Sequence, residues 1–377
     1  MSATTGGRTV VIATDSFKGS MTAAQACSAI AAGWRAARPL DEVRCVPLAD
    51  GGEGTADAIR DATPGSRSLE CPVTGPDGRP ASAQWVLLPD GTAVVELAAA
   101  SGLPMMARAD PAAAQTIGFG QLLRAATTHP DTRRIVATVG GSASTDGGTG
   151  ALWALGARFL DAGGAELPPG GGPLTELAGV DLSQLLTPPP GGIDVLSDVT
   201  SRLTGTHGAA AVFGPQKGAD AALVAQLDAG LAHLADVIGG EPDAAGAGAA
   251  GGSAFGLASL WGARLRPGAP AVAEIVGLDA ALSGADLVVT GEGRFDAQSL
   301  RGKVVGHVVG ITPCPAALIV GAVLDSPETR QVLTGFAATA TLIGAAGSLD
   351  AALAEPERWA RSAGEWVADT VFGRSAG

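Results

Sequence analysis

Tyrosine is absent from this 377-residue chain, and aromatic residues make up only 4% of it. A surface built to stack nucleobases is therefore disfavoured. Positive charge is also scarce: 24 Lys and Arg stand against 37 Asp and Glu, a formal net charge of −13. No basic stripe is visible, which argues against nucleic acid and anionic membrane as partners. An anionic small molecule stays open, because a few local cations can reverse the field inside a site. The four cysteines (Cys27, Cys45, Cys71, Cys314) form no CxxC and no Cys/His ligand spacing. They read as small apolar residues of a reducing compartment. The four histidines (His129, His207, His233, His307) are scattered and read as structural or surface residues. The first apolar run, Thr9-Val-Val-Ile-Ala13, is too short for a signal peptide and has no basic flank beyond Arg8. No window approaches the roughly 18 apolar residues of a membrane span. The expectation is a cytoplasmic protein, monomer or homodimer, with neither membrane nor nucleic acid as partner.

Several well-known site motifs are missing too. There is no G-x-x-x-x-G-K-[ST] loop, no G-x-S-x-G elbow and no metal-ligand spacing. Gly291-Glu-Gly-Arg-Phe-Asp296 fails the dinucleotide fingerprint, since Asp296 stands where the third glycine belongs and would repel a pyrophosphate. A hydride enzyme and a hydrolase are thereby demoted.

What is present is apolar and rich in glycine: hydrophobic residues make up 46% and glycines number 56. That is ample for packed cores, and the length argues for two of them. Residues 9–13 and 43–46 read as buried strands. Each runs into a polar glycine loop and then a helix, the first opened by a capping box at Thr22 and Gln25. Strand–helix–strand–helix at this spacing predicts a βαβ unit with a parallel sheet. The pattern changes after Thr63: residues 83–88 and 93–97 read as an antiparallel hairpin. Helices near 115–126, 149–155, 219–238 and 255–261 follow, with strands at 134–139 and 193–196. Residues 241–252, rich in Ala and Gly, read as a linker or mobile loop. Parallel-strand patterning resumes at 287–289 and 316–320, with a helix between them carrying Leu300, Val304, Val305 and Val308 on one face. The fold class expected is α/β with two domains: a Rossmann-like parallel-sheet domain (residues 1–66 and 286–377) and a mixed α/β domain inserted at 67–285. A split near residue 150 is the alternative.

Strand-end loops are where open α/β sheets bind ligands. Here they combine glycine with acids, hydroxyls or cations: Asp15-Ser-Phe-Lys-Gly-Ser20, Asp50-Gly-Gly-Glu-Gly-Thr55, the 140–148 loop and the 291–303 loop. The loop holding Lys217 is a further candidate. Glycine lets backbone N–H groups approach an anion, and a helix start adds a favourable dipole. Taken singly, each loop is explained as a turn or a helix start. Together they match the needs of phosphoryl transfer: anion cradles, a cation clamp, acids for Mg²⁺ and one base.

These motifs, with Phe213-Gly-Pro-Gln-Lys-Gly218, Gly248-Ala-Ala-Gly-Gly252 and Gly302-Lys303, resemble the type I glycerate kinases, in that family's order, up to about residue 303. The resemblance implies an ATP-dependent kinase acting on D-glycerate, usually giving the 2-phosphate. It also implies two α/β domains with the active site in the cleft between them. Two departures stand out. Thr145 replaces a common Asn, and Asp198-Val-Thr-Ser-Arg-Leu203 replaces Asp-Val-Thr-Asn-Pro-Leu, so that loop's conformation is open and Arg202 adds a cation. Within such a reaction, Lys18 and Arg294 are candidates to hold the glycerate carboxylate, and Asp15, Ser16, Asp50 and Glu53 complete the substrate set. Asp296 is the favoured proton acceptor, with Asp198 and Asp50 as rivals. Gly140, Gly141, Ser142, Asp146, Lys217 and Lys303 are candidates for the phosphates of ATP, and Asp198 and Glu292 for Mg²⁺. Two alternatives remain: another Rossmann-like enzyme of small hydroxy acids, or a non-catalytic regulator that binds an anion or nucleotide.

Overall fold

The structure, a computed structural model, describes residues 7–373. It divides into two compact units. The first takes Met1–Asp50, Asp57–Pro64 and Gly268–Gly377, and the second takes Gly51–Ala56 and Gly65–Pro267.

In the first unit a five-stranded sheet has the order Thr339–Thr341, Ala316–Val320, Leu287–Gly291, Thr9–Thr14, Glu42–Cys45. Every neighbouring pair is parallel. The middle strands are continuous apolar runs with almost no exposed position, as expected of strands covered on both faces. The N-terminal and C-terminal segments therefore build one sheet, as the patterning predicted. The helix Ala23–Ala37 begins at the expected capping box: Gln25 N donates to Thr22 Oγ1, and Thr22 N donates to Gln25 Oε1. Its buried face carries Ala26, Ile30 and Trp34. Gly33 and Gly364 bring it against the helix Pro356–Phe372. A Cβ on Gly33 would lie 1.9 Å from the Arg361 carbonyl oxygen, so only glycine permits this crossing.

Two boundaries differ from expectation. Residues 268–285 belong to the first unit rather than to the insertion. The helices there, Gly268–Ile275 and Leu278–Leu282, bury Val272, Leu278 and Leu282, and Arg44 Nη1 donates to the Ala281 and Ser283 carbonyls. Gly51–Ala56 belongs to the second unit, because Gly54 N and Ala56 N donate to the Glu96 carboxylate at 2.9 and 3.0 Å. The helix expected to include Leu300 is also interrupted. Ala297–Leu300 is a 3₁₀ turn, and the α-helix Val304–Ile311 starts only after Gly302, which sits at φ +73°.

The second unit is a six-stranded mixed sheet in the order Arg264–Pro267, Ile193–Ser197, Arg134–Thr138, Thr92–Glu96, Pro80–Leu87, Arg67–Thr74. The expected hairpin is present as the antiparallel pair Pro80–Leu87 and Thr92–Glu96. The strand Arg67–Thr74 was not legible, being polar and interrupted by Pro72. Its edge position tolerates both features. Residues 241–252 are not a linker: Ala247 and Ala249 are buried in the core, and Gly147 N donates to the Gly251 carbonyl. Small side chains are needed there, since a Cβ on Gly251 would lie 2.1 Å from the Ser144 carbonyl oxygen. The helix Ala221–Ile238 also departs from expectation. At 18 residues with mean hydropathy 1.4, it is long and apolar enough to cross a membrane by length and composition. It carries Asp228, His233 and Asp236, and it places Leu231 and Leu234 in the core of this unit.

The glycine crossing is testable. Gly33→Ala should destabilise the protein by about 1–3 kcal/mol in chemical denaturation, the usual cost of overpacking. Gly310→Ala, in a helix where a Cβ meets nothing within 4 Å, should be neutral or slightly stabilising.

Candidate functional site

The first unit gathers acids. Strands Thr9–Thr14 and Leu287–Gly291 run in register, Thr14 beside Gly291, and Asp15 N donates to the Gly291 carbonyl at 2.9 Å. Asp15 and Glu292 therefore leave the sheet side by side. The chain after Glu42–Cys45 stays alongside, with Val46 N and Leu48 N bonded to the Ile12 and Thr14 carbonyls, and reaches Asp50. Asp15, Asp50 and Glu292 are exposed by only 7%, 4% and 7%. Burial, then the Asp50 charge, raise the Asp15 carboxyl from 3.8 to about 7, against a 2.6 Å hydrogen bond from Ser16 N and the charge of Lys18. Burial likewise raises Glu292, opposed by Ser299 and the Lys303 ammonium. Its Oε1 is buried without a hydrogen-bond partner. Gly293 lets its loop approach the Lys18 segment, since a Cβ there would lie 3.1 Å from Lys18 N.

Lys18 acts electrostatically on Asp15 and Lys303 on Glu292, while Arg294 follows Glu292 by two residues. Lys18 and Arg294 are exposed, and Lys303 and Ser16 are half-buried. Phe295, stacked edge-on with Phe336, anchors the short strand that carries Arg294. Asp296, the favoured proton acceptor from sequence, is a helix cap: its Oδ1 accepts from Gln298 N at 2.8 Å and Ser299 N at 3.2 Å. Its own N–H donates to Ser299 Oγ.

The second unit brings several loops to one end of its sheet. Strands Thr92–Glu96, Arg134–Thr138 and Ile193–Ser197 are parallel and in register, so Glu96, the 140–148 loop and Asp198 all follow carboxyl ends. Glu96 went unnoticed in the sequence. It holds the Gly51–Ala56 loop through the two N–H bonds described above, and its only signal was an acid closing an apolar strand. That loop meets Gly140, where a Cβ would lie 2.5 Å from Gly52 Cα. Gly141 and Glu53 are exposed, whereas Ser142 is 8% exposed. Asp198 is exposed, and Arg202 forms a surface pair with Asp243.

Lys217 is 3% exposed, and its Nζ donates to Ser142 Oγ at 3.0 Å and to the Ser144 carbonyl. Burial lowers it from 10.5 to about 8, with Asp146 opposing. Asp146 is fully buried and accepts from Thr116 N, Thr116 Oγ1, Gly148 N and Gly150 N. These bonds tie two helix starts together.

The raised carboxyl has a consequence for stability. Between pH 3.8 and about 7 the folded state holds a proton on Asp15 that the unfolded state releases. The stability this group contributes is full below pH 3.8 and is lost as pH rises through 7. Asp15→Asn should therefore raise Tm at pH 8, by a few degrees or about 2–4 °C per kcal/mol, with the gain vanishing near pH 4. Thermal melts across pH check this.

Comparison with known proteins agrees with the motifs. The model of the glycerate kinase family matches residues 10–372. A glycerate kinase of Bacillus subtilis is 44% identical over 303 residues, 78% of this chain and 79% of that protein. A glycerate 2-kinase of Escherichia coli is 39% identical over 363 residues, 91% and 92% of the two chains. Among solved structures, a putative glycerate kinase 2 from Salmonella typhimurium superposes with TM-score 0.82 at 38% identity, covering 97% of this chain and 98% of that one. With a family match running nearly end to end, this chain belongs to the glycerate kinase family.

Proposed function

We propose that this chain transfers the γ-phosphoryl of ATP to D-glycerate, at the 2-hydroxyl. The observation that carries the reading is the buried trio Asp15, Asp50 and Glu292 at parallel strand ends, beside Lys18 and Lys303, with exposed Arg294 two residues along the chain from Glu292. A hydroxy acid needs both features. The cations hold its carboxylate, for which the fork of Arg294 is well shaped. A carboxylate takes the hydroxyl proton as the O–P bond forms and ADP leaves. The 2-hydroxyl is favoured by the relative named glycerate 2-kinase.

Asp15 suits the role of base better than Asp296. A carboxyl near 7 matches the working pH, whereas Asp296 Oδ1 is committed to a cap. Asp50 and Ser16 flank it as substrate contacts. The glycine loop at 140–142, with Glu53 beside it, is the proposed phosphate wall. Among the described residues no cluster of three acid, His or Cys side chains stands ready for a metal. Mg²⁺ needs only one or two carboxylates when it is bound along with phosphates. The unpartnered Glu292 Oε1 fits such a ligand, while Asp198 is the weaker candidate because it is exposed. Mg²⁺ would neutralise charge on the phosphates.

An ADP-release assay with D-glycerate, followed by phosphorus NMR of the product, should show 2-phosphoglycerate. No turnover would sink the reading. Asp15→Asn should lower kcat by about 10²–10⁴-fold. Asp296→Asn should stay within a few-fold of wild type, since Asn caps as well as Asp. The reverse ranking would return the role to Asp296.

A further inference from the structure

Lys217 is sunk too deeply to meet a ligand face to face, being 3% exposed with hydrogen bonds to Ser142 Oγ and the Ser144 carbonyl. An ammonium only donates. Ser142 Oγ must therefore accept from it, and the serine hydrogen is left to point elsewhere. The Ser142 backbone is pinned on both sides: Leu103 N donates to the Gly141 carbonyl at 2.9 Å, and Ala143 N to the Ser101 carbonyl at 3.0 Å. Ser142 itself sits at the loop's margin, next to half-buried Gly140 and exposed Gly141. Asp146, which accepts from Thr116, Gly148 and Gly150, is the acidic neighbour that opposes the lowering of the Lys217 pKa by burial.

We propose that Ser142 is the side-chain donor to an ATP phosphate oxygen and that Lys217 is a positioning residue acting through it, fixing and polarising the serine hydroxyl without touching the nucleotide. The proposal rests on the ATP-dependent reading above, and it sharpens which atom of the loop meets the phosphate. A preorganised hydroxyl whose oxygen is already bonded to a buried cation is a stronger donor than a free serine, and it needs no reorientation on binding.

The test is a double-mutant cycle with Ser142→Ala, Lys217→Met and the double variant, read by ADP affinity in calorimetry and by KM for ATP. Each single variant should weaken nucleotide binding by about 10–100-fold, the worth of a charge-assisted bond. The double variant should be no worse than either. KM for D-glycerate and the cooperativity of melting should stay as in wild type. Losses that multiply, an unchanged Ser142→Ala, or a shift confined to KM for glycerate would each overturn the proposal. Should Lys217→Met fail to fold, Ser142→Ala alone decides it by the same measure. Calorimetry with ADP needs no glycerate. Failure of turnover with intact ADP binding therefore counts against the substrate, and absence of ADP binding by the wild type overturns the donor assignment.

Discussion

Strand Thr9–Thr14 lying in register with Leu287–Gly291 is the constraint on which the first unit depends. It joins the two ends of the chain into one sheet. Without it Asp15 and Glu292 would belong to separate segments, and the burial that raises both carboxyls would be lost. A single hydrogen bond, Asp15 N to the Gly291 carbonyl, continues the ladder by one residue past the strand and sets the two carboxylates abreast. The apolar strands behind them supply the low-dielectric setting in which like charges resist joint ionisation. The sheet thus raises the pKa values of Asp15 and Glu292 as well as setting their geometry.

Burial of these acids works against stability, and so does burial of Lys217 in the second unit. Folds tolerate such costs where function uses them. Here they are offset by strongly apolar strands and by close helix crossings at glycine. In the second unit the buried charges also organise backbone. Asp146 ties the helix Ile117–Thr128 to the helix Thr149–Leu155, and Lys217 ties the glycine loop that lies between sheet and helix. Removing one partner there would strand the other in a dry interior, which costs more than the pair itself contributes.

Glycine has two distinct uses in this chain. At Gly140, Gly251 and Gly293 it lets backbone approach backbone, with hypothetical Cβ contacts between 2.1 and 3.1 Å. At Gly302 it supplies a left-handed residue that ends one turn before the next helix begins. Composition alone cannot separate these uses, which is why residues 241–252 resembled a linker although Ala247 and Ala249 are core.

By itself the sequence determined the elements whose cause is local. The capping box at Thr22, the apolar runs of the parallel strands, the hairpin and the order of glycine loops are written in neighbouring residues, and they placed the chain in its family. Strand Arg67–Thr74 carries no such local pattern, because an edge strand tolerates polar residues and proline. Only tertiary structure decided which acids lie together. Asp296 caps the turn that follows it, Asp146 accepts four hydrogen bonds, and Glu96 holds a loop from another segment. The reason is physical: whether a carboxylate caps, pairs or stays poised depends on burial and on partners far along the chain, and local spacing encodes neither.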